Sequence, residues 1–205
     1  MTSHPKDVSE KLFHAIADCS KVCKHIHLPF QSGSDRILQL MNRKYTSEQY
    51  FKKIETARKI IDGVEFTSDV IVGFPTETED DFIKTVDLVK AIEFNSLFTF
   101  IYSPRKNTPA SIMDGQIDYQ TANDRLTRLI QIQNDISCKI NKQYIGKYVS
   151  VLAENHLKKD EMIFGRTDTN LIVNFSGSTD CIGKFTEVFI DNAKNSMLIG
   201  HEREK

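Results

Sequence analysis

Cys19 and Cys23 in "CSKVCKHIH", residues 19–27, have three residues between them. That is the opening spacing of a loop whose cysteine thiolates hold the irons of a four-iron cluster. Such a loop needs a third cysteine at position 26, where this chain has Ile26. The ligand set is therefore incomplete, and the two thiols are expected to do no metal chemistry. Cys19 is expected on the apolar face of a helix and Cys23 as a buried or half-buried thiol at a strand start. His25 and His27 share one face of a strand by their spacing, and without a third ligand they read as packed or exposed histidines.

The other residues equipped for chemistry lie in four polar clusters: "TSHP" at 2–5, "HLPFQSGSD" at 27–35, "SDVIVGFPTETEDDF" at 68–82 and "FIYSPRKNTPA" at 100–110. Gln31, Ser32, Gly33 and Ser34 offer amide, hydroxyl and backbone N–H groups just before a helix, suited to a carboxylate or a ribose. Gly73 lets a ligand approach the backbone, and the following "FP" forces a turn that presents N–H groups to an anion or an adenine edge. Arg105 can clamp a carboxylate or phosphate through two parallel bonds, and Arg43 with Lys44 suits a polyanion. Each cluster also has a purely structural reading, because Ser, Gly and Thr before helices are commonly caps and paired basic residues commonly form solvated helix ends.

The elements that must position these residues alternate, the signature of βα units laid into a parallel sheet. "KDVSEKLFHAIADCS" places Leu12, Ala15 and Cys19 at helical spacing, and "KHIHLPF" follows as a short strand. In "TSEQYFKKIETARKII", Thr46 and Gln49 form a capping box, and Tyr50, Ile54, Ala57 and Ile61 make one apolar stripe. "EFTSDVIVGF" is the near-continuous apolar run of a strand covered on both faces. Thr78 caps a helix with an acidic first turn, whose buried face is Phe82, Val86, Val89 and Ile92. "SLFTFIY" is a further strand, and a long helix from about Tyr119 to Tyr144 carries Leu126, Leu129, Ile136 and Ile140 along one side. Past "IGK" at 145–147 the period changes. "YVSVLAE", "EMIFGRT", "NLIVNFSG", "GKFTEVFI" and "SMLIGHE" are short strands without intervening helices, which predicts a small all-β barrel. The boundary is placed near 146, giving units 1–145 and 146–205.

Composition narrows the class. In 205 residues, 40% hydrophobic and 27% charged content excludes disordered and fibrous chains. No apolar run is long enough to cross a bilayer and no signal-peptide core stands at the N-terminus, so a cytoplasmic location is expected. Four cysteines suggest no disulfide framework. With 27 basic against 28 acidic residues, any nucleic-acid binding must come from local patches.

Taken together and in order, "TSHP", "HLPFQSGSDRILQLMNRKYT", "SDVIVGFPTETEDDF", "YSPRKNTPA" and "GRTDTNLIVNF" with "IGKFTEVFI" resemble the C-terminal two thirds of the MiaB-type tRNA methylthiotransferases, radical S-adenosylmethionine (SAM) enzymes. The "LPFQSGS" stretch resembles the tRNA branches rather than the branch that modifies a ribosomal protein. "HLPFQSGSD" and "YSPRKNTPAS" favour the isopentenyladenosine branch over the threonylcarbamoyladenosine branch. Where the family has glycine before Thr108, this chain has Asn107, which also adopts left-handed backbone.

The resemblance implies an α/β fold, a partial parallel (βα) barrel of the radical SAM type followed by a TRAM β-barrel that binds RNA. It implies SAM and two 4Fe-4S clusters in the parent enzyme, and the tRNA anticodon stem-loop as partner. The residues it places toward SAM and substrate are Gln31, Ser32, Ser34, Ile71, Gly73, Phe74, Glu77, Tyr102, Ser103 and Arg105; toward RNA, Arg43, Arg166 and Lys184. In the family the cluster-ligand regions precede "TSHP", and this chain begins directly before that motif. The isolated polypeptide is therefore expected to be a fragment that assembles neither cluster, a tRNA- or SAM-binding module without chemistry of its own. Its uncovered sheet edge is expected to favour self-association.

Overall fold

A computed structural model of the chain describes residues 3–157, 162–194 and 197–203. Thr2 of the first cluster, and Glu161 and Ser196 at the starts of two expected strands, lie outside them.

The first part runs α1 (Glu10–Asp18), β1 (His25–His27), α2 (Asp35–Leu40), α3 (Ser47–Ile60), β2 (Glu65–Val72), α4 (Glu79–Ile92), β3 (Ser96–Ile101) and α5 (Tyr119–Lys142). The three strands are parallel, in the order β1-β2-β3. The helical stripes form the core as the spacing predicts. Tyr50, Ile54, Ala57 and Ile61 are buried with Phe82, Val86, Val89 and Ile92 against Ile26, Phe66, Val70 and Val72 of the sheet. Each such large apolar side chain contributes roughly 1.5–3 kcal/mol.

Both expected helix starts are built. Thr46 and Gln49 exchange bonds of 3.1 and 3.2 Å, and Thr78 is capped reciprocally by Asp81. At Asn107 the backbone is left-handed, φ 66°, as the turn requires.

Three expectations about faces are corrected. On α1, Leu12, Ala15 and Cys19 are exposed; Phe13 is buried, with Ile16 and Ala17 packed on the same core. The apolar stripe is displaced by one position because α1 docks on α3 through Phe13 rather than on the sheet. Cys23 is exposed in the α1–β1 connection, since the strand proper starts only at His25. β2 is sealed on one face only. Asp69 and Ile71 are half-buried on the other, beside Phe98 and Phe100 of β3, which are 52% and 51% exposed. Thr67 on that same face is 6% exposed, so the face is open only toward the carboxyl end of the strands.

The main-chain N–H of Ser3 donates to the carbonyl of His27 at 3.2 Å, so the segment entering α1 runs along the open edge of β1.

All five expected strands of the second part form: β4 (Tyr148–Leu157), β5 (Met162–Arg166), β6 (Ile172–Ser176), β7 (Phe185–Lys194) and β8 (Met197–Glu202). They close into a barrel in the order β4-β5-β6-β8-β7, which removes free edges. Alternate residues, among them Val151, Ala153, Val173, Phe175, Val188, Ile190 and Leu198, fill its interior. The Asn141 amide of α5 donates to Lys194 O at 2.9 Å and ties helix to barrel.

Candidate functional site

The carboxyl ends of the strands bring together most residues of the three clusters. Gln31 has left-handed backbone, φ 69°; its N–H donates to Asp69 O and its carbonyl accepts from Ile71 N, extending the sheet beyond β1. Tyr102 N–H donates to Val72 O, so β3 continues past Ile101 alongside Gly73. Phe74 meets the Tyr102 ring edge-to-face at 5.0 Å. Among the described residues the Tyr102 hydroxyl is buried without a hydrogen-bond partner. Ser103 and Arg105 lie beyond it in an exposed loop, where the Arg105 carbonyl accepts from Thr108.

Ser32 and Ser34 are 1% and 0% exposed, and their hydroxyls turn into the protein. Ser34 Oγ donates to Asp81 at 2.6 Å, and Ser32 Oγ lies 3.4 Å from Thr85 Oγ1 and accepts from Ser34 N. A Cβ on Gly33 would stand 2.4 Å from Lys84 O, so the loop is pressed onto α4 with only hydrogen between the backbones. Arg36 bonds Asp81 and the main chain of Thr76, joining the first turn of α2 to the turn before α4. Burial raises the Asp81 pKa, but bonds from Arg36, Ser34 and Thr78 outweigh it and hold the carboxyl well below the usual range.

Glu77 sits beneath the turn, 3% exposed. It accepts from Gly73 N at 2.7 Å and from Arg125 Nη1 at 2.8 Å. Burial pushes its carboxyl up despite these two partners. Gly73 takes φ 71° and its Cα approaches Ala122 so closely that a Cβ would lie 2.7 Å from the alanine methyl. Sequence reasoning missed Arg125: the stripe on α5 looks apolar through Leu126, Leu129, Ile136 and Ile140. Its buried line also includes the polar residues Arg125, Gln133, Ser137 and Asn141.

On the open face of the sheet, Thr67 Oγ1 lies 2.9 Å from both His25 Nε2 and His27 Nδ1, and His27 Nε2 is 3.3 Å from Asp69. Burial, then repulsion from His27, lowers the His25 pKa to about 4. The histidines are thus satisfied by hydrogen bonds to the neighbouring strand.

Metal ligation finds no constellation. Cys19 and Cys23 are exposed, Cys138 is on α5 and Cys181 is in the barrel. No group of three or more His, Cys, Asp or Glu side chains is placed to hold a metal ion among the described residues. The cysteines present therefore do not fit a four-iron cluster.

Of the residues expected at RNA, Arg43 folds against His4 at 3.3 Å, Arg166 lies over the Phe164 ring and bonds Asn170, and Lys184 is exposed beside Asp180 O. A second surface was not anticipated. Cross-strand register places Tyr148, Phe189 and His201 side by side, at centroid distances of 5.2 and 5.4 Å, with Arg203 over Tyr148 at 5.1 Å. A row of rings carrying a cation is the arrangement on which unpaired bases stack. Outward alternation marks each residue, but only barrel register makes them neighbours.

Comparison with known proteins finds two family matches along the chain. The radical SAM superfamily matches residues 1–89, and the TRAM domain matches residues 142–201. The tRNA-2-methylthio-N(6)-dimethylallyladenosine synthase of Alkaliphilus oremlandii is 48% identical over 98% of this chain and 43% of its own length. Those of Acetivibrio thermocellus and Clostridium botulinum are 46% and 47% identical, over 97% and 98% of this chain and 42% and 45% of their own. The chain thus spans less than half the length of these relatives. The solved coproporphyrinogen III oxidase of Escherichia coli, described as a radical SAM enzyme, superposes with a TM-score of 0.56 at 20% identity. It covers 66% of this chain and 31% of that one, a likeness of fold alone.

Proposed function

Because the chain belongs, as their C-terminal part, to the MiaB-type tRNA methylthiotransferases, we propose that it supplies the SAM-facing loops and the RNA-binding barrel of such an enzyme. The reaction is conversion of N6-isopentenyladenosine next to the anticodon to its 2-methylthio derivative, carried out in the cytoplasm. The observation that carries this reading is near-complete coverage of the chain by relatives named for that product, at 46–48% identity. Their names favour the isopentenyl substrate over the threonylcarbamoyl one.

In this reading SAM supplies a radical and a methyl group when bound. Gln31, Ile71, Gly73, Phe74 and Tyr102 hold it at the strand ends, with the Tyr102 hydroxyl as one donor. Ser103 and Arg105, in the exposed loop, meet its carboxylate or the substrate phosphate. Ser32, Ser34 and Glu77 act indirectly, by fixing the two loops. Arg166, Lys184 and the Tyr148–Phe189–His201 row take the anticodon stem-loop, with Arg43 at the other domain. No step is assigned to an iron–sulfur cluster, whose ligands the described residues do not provide. No helix is long and apolar enough to cross a membrane among the described residues.

Anaerobic reconstitution with iron and sulfide tests the division of labour. The chain alone is expected to bind tRNA and to show no four-iron absorbance. Such a band together with SAM cleavage would overturn the proposal that the chemistry needs residues beyond these. Self-association through the β1 edge or the uncovered Phe98 and Phe100 face is the companion proposal. A sedimentation coefficient that stays monomeric at high concentration would refute it.

A further inference from the structure

A cavity of about 330 Å³ lies where β3, α5 and the β5–β6 hairpin of the barrel meet. It is distinct from the carboxyl edge. Asn95 stands just before β3 and Tyr102 just after it, and a strand of that length separates its ends by roughly 20 Å.

Its floor is polar and unfinished. The main chain of Asn95 is fully used, N–H to Phe66 O at 3.0 Å and carbonyl from Ser137 Oγ at 2.8 Å. Asn95 is 8% exposed, yet among the described residues neither its Oδ1 nor its Nδ2 has a partner. Gln133 is oriented by its Nε2, which donates to Phe94 O and Ser137 Oγ, and its Oε1 is left unpaired and buried. Buried amides are seldom left so, because an unpaired donor or acceptor keeps its desolvation cost. Leu97, Ile130 and Leu171 form apolar walls, and Phe98 brings a half-exposed ring. Arg166 is the charged residue in the lining among the described residues; its Nε pairs with the Glu154 carboxylate at 3.5 Å and its Nη1 bonds Asn170.

We propose that this cavity binds a nucleobase of the bound RNA, a different base from the one that is modified. The match is chemical. A carboxamide with adjacent free donor and acceptor is complementary to an adenine edge, apolar walls suit the faces of a planar ring, and an arginine suits the attached phosphate. The volume is at the low end for ligand pockets, adequate for one base. The cavity joins the two domains, so a base seated there would fix the RNA-binding barrel relative to the sheet. This inference rests on the RNA-binding reading above.

The test uses the full chain and three probes: a hairpin RNA with an unpaired loop, the same hairpin with an abasic loop, and adenosine 5′-monophosphate. The side-chain NH2 resonances of Asn95, assigned by through-bond correlation to its own backbone in the unaltered chain, are followed by NMR. Affinity for each hairpin is measured by fluorescence anisotropy. The base-containing hairpin is expected to shift the Asn95 signals and the abasic one to leave them in place. Asn95→Leu is expected to weaken the first hairpin about tenfold and the second not at all. Binding of the hairpin with silent Asn95 signals would overturn the cavity proposal while leaving RNA binding intact. Failure of the hairpin to bind by either readout would overturn both. A shift with adenosine monophosphate but not with the hairpin would assign the pocket to a free nucleotide and sink the RNA source. The NMR arm uses the unaltered chain, so a variant that fails to fold does not remove the test.

Discussion

Arg125 on α5 donates through one nitrogen to both the main-chain carbonyl of Glu77, at 3.1 Å, and its carboxylate, at 2.8 Å, with both side chains almost wholly enclosed. Since Glu77 also accepts from Gly73, the long helix that leads to the barrel holds the turn at the end of the central strand. A change on α5 is thereby felt at the candidate SAM edge.

Arg125→Met should cost about 3–5 kcal/mol in urea unfolding, because it strands the Glu77 carboxylate inside the protein. Arg125→Met combined with Glu77→Gln should recover part of that loss, since the buried charge is then gone. A single variant within about 1 kcal/mol of the parent would show that the pair does not hold the turn.

Asp81→Asn should lower stability at pH 7 by roughly 2–3 kcal/mol, through loss of the charged acceptor shared by Ser34, Arg36 and Thr78. The folded pKa is depressed below the ordinary 3.8, so the contribution is present above that value and is lost as pH falls through the folded pKa. Parent and variant unfolding curves should therefore converge in acid; a constant gap would contradict the assignment.

Glu65 gives the opposite slope. Burial raises its carboxyl from 4.5 to about 7, against the pull of Arg58. The folded state binds the extra proton between those values, so stability falls as pH rises across that window. Glu65→Gln should remove this component of the pH profile, measured by thermal unfolding at about pH 4 and about pH 8, on either side of the shift.

Gly33→Ala should cost about 1–3 kcal/mol, because the added methyl meets the Lys84 carbonyl backbone and the loop must move off α4. Gly63, at φ 69° with open space around it, provides the contrast: Gly63→Asn should cost less than about 1 kcal/mol. Equal losses at the two sites would argue against the close loop contact.

On the barrel, Tyr148→Ala should weaken single-stranded RNA binding by about 1–3 kcal/mol and leave its salt dependence unchanged. Arg203→Ala should reduce the salt slope by about 1. Unaltered affinity in both variants would move the RNA surface elsewhere on the barrel.

The sequence by itself determined the elements and their kind. Thr46 and Thr78 announce helix starts through partners three residues away, the stripes on α3 and α4 repeat at helical period, and the change to short alternating runs after residue 147 marks the barrel strands. These are local signals, set by backbone geometry and read within one or two turns. The order of the polar clusters likewise pointed to the family and to the strand ends as the candidate site. Tertiary structure alone decided which face each element buries and which distant residues meet. The one-position displacement of α1 depends on its docking against α3, and the open side of β2 on what packs beside β3. The Arg125–Glu77 pair, the Tyr148–Phe189–His201 row and the unpaired Asn95 amide each depend on where chain closure brings segments from different elements together. Hydrophobic period carries no record of such pairings, because a buried polar group is tolerated only by its partner, and the partner is supplied by the fold.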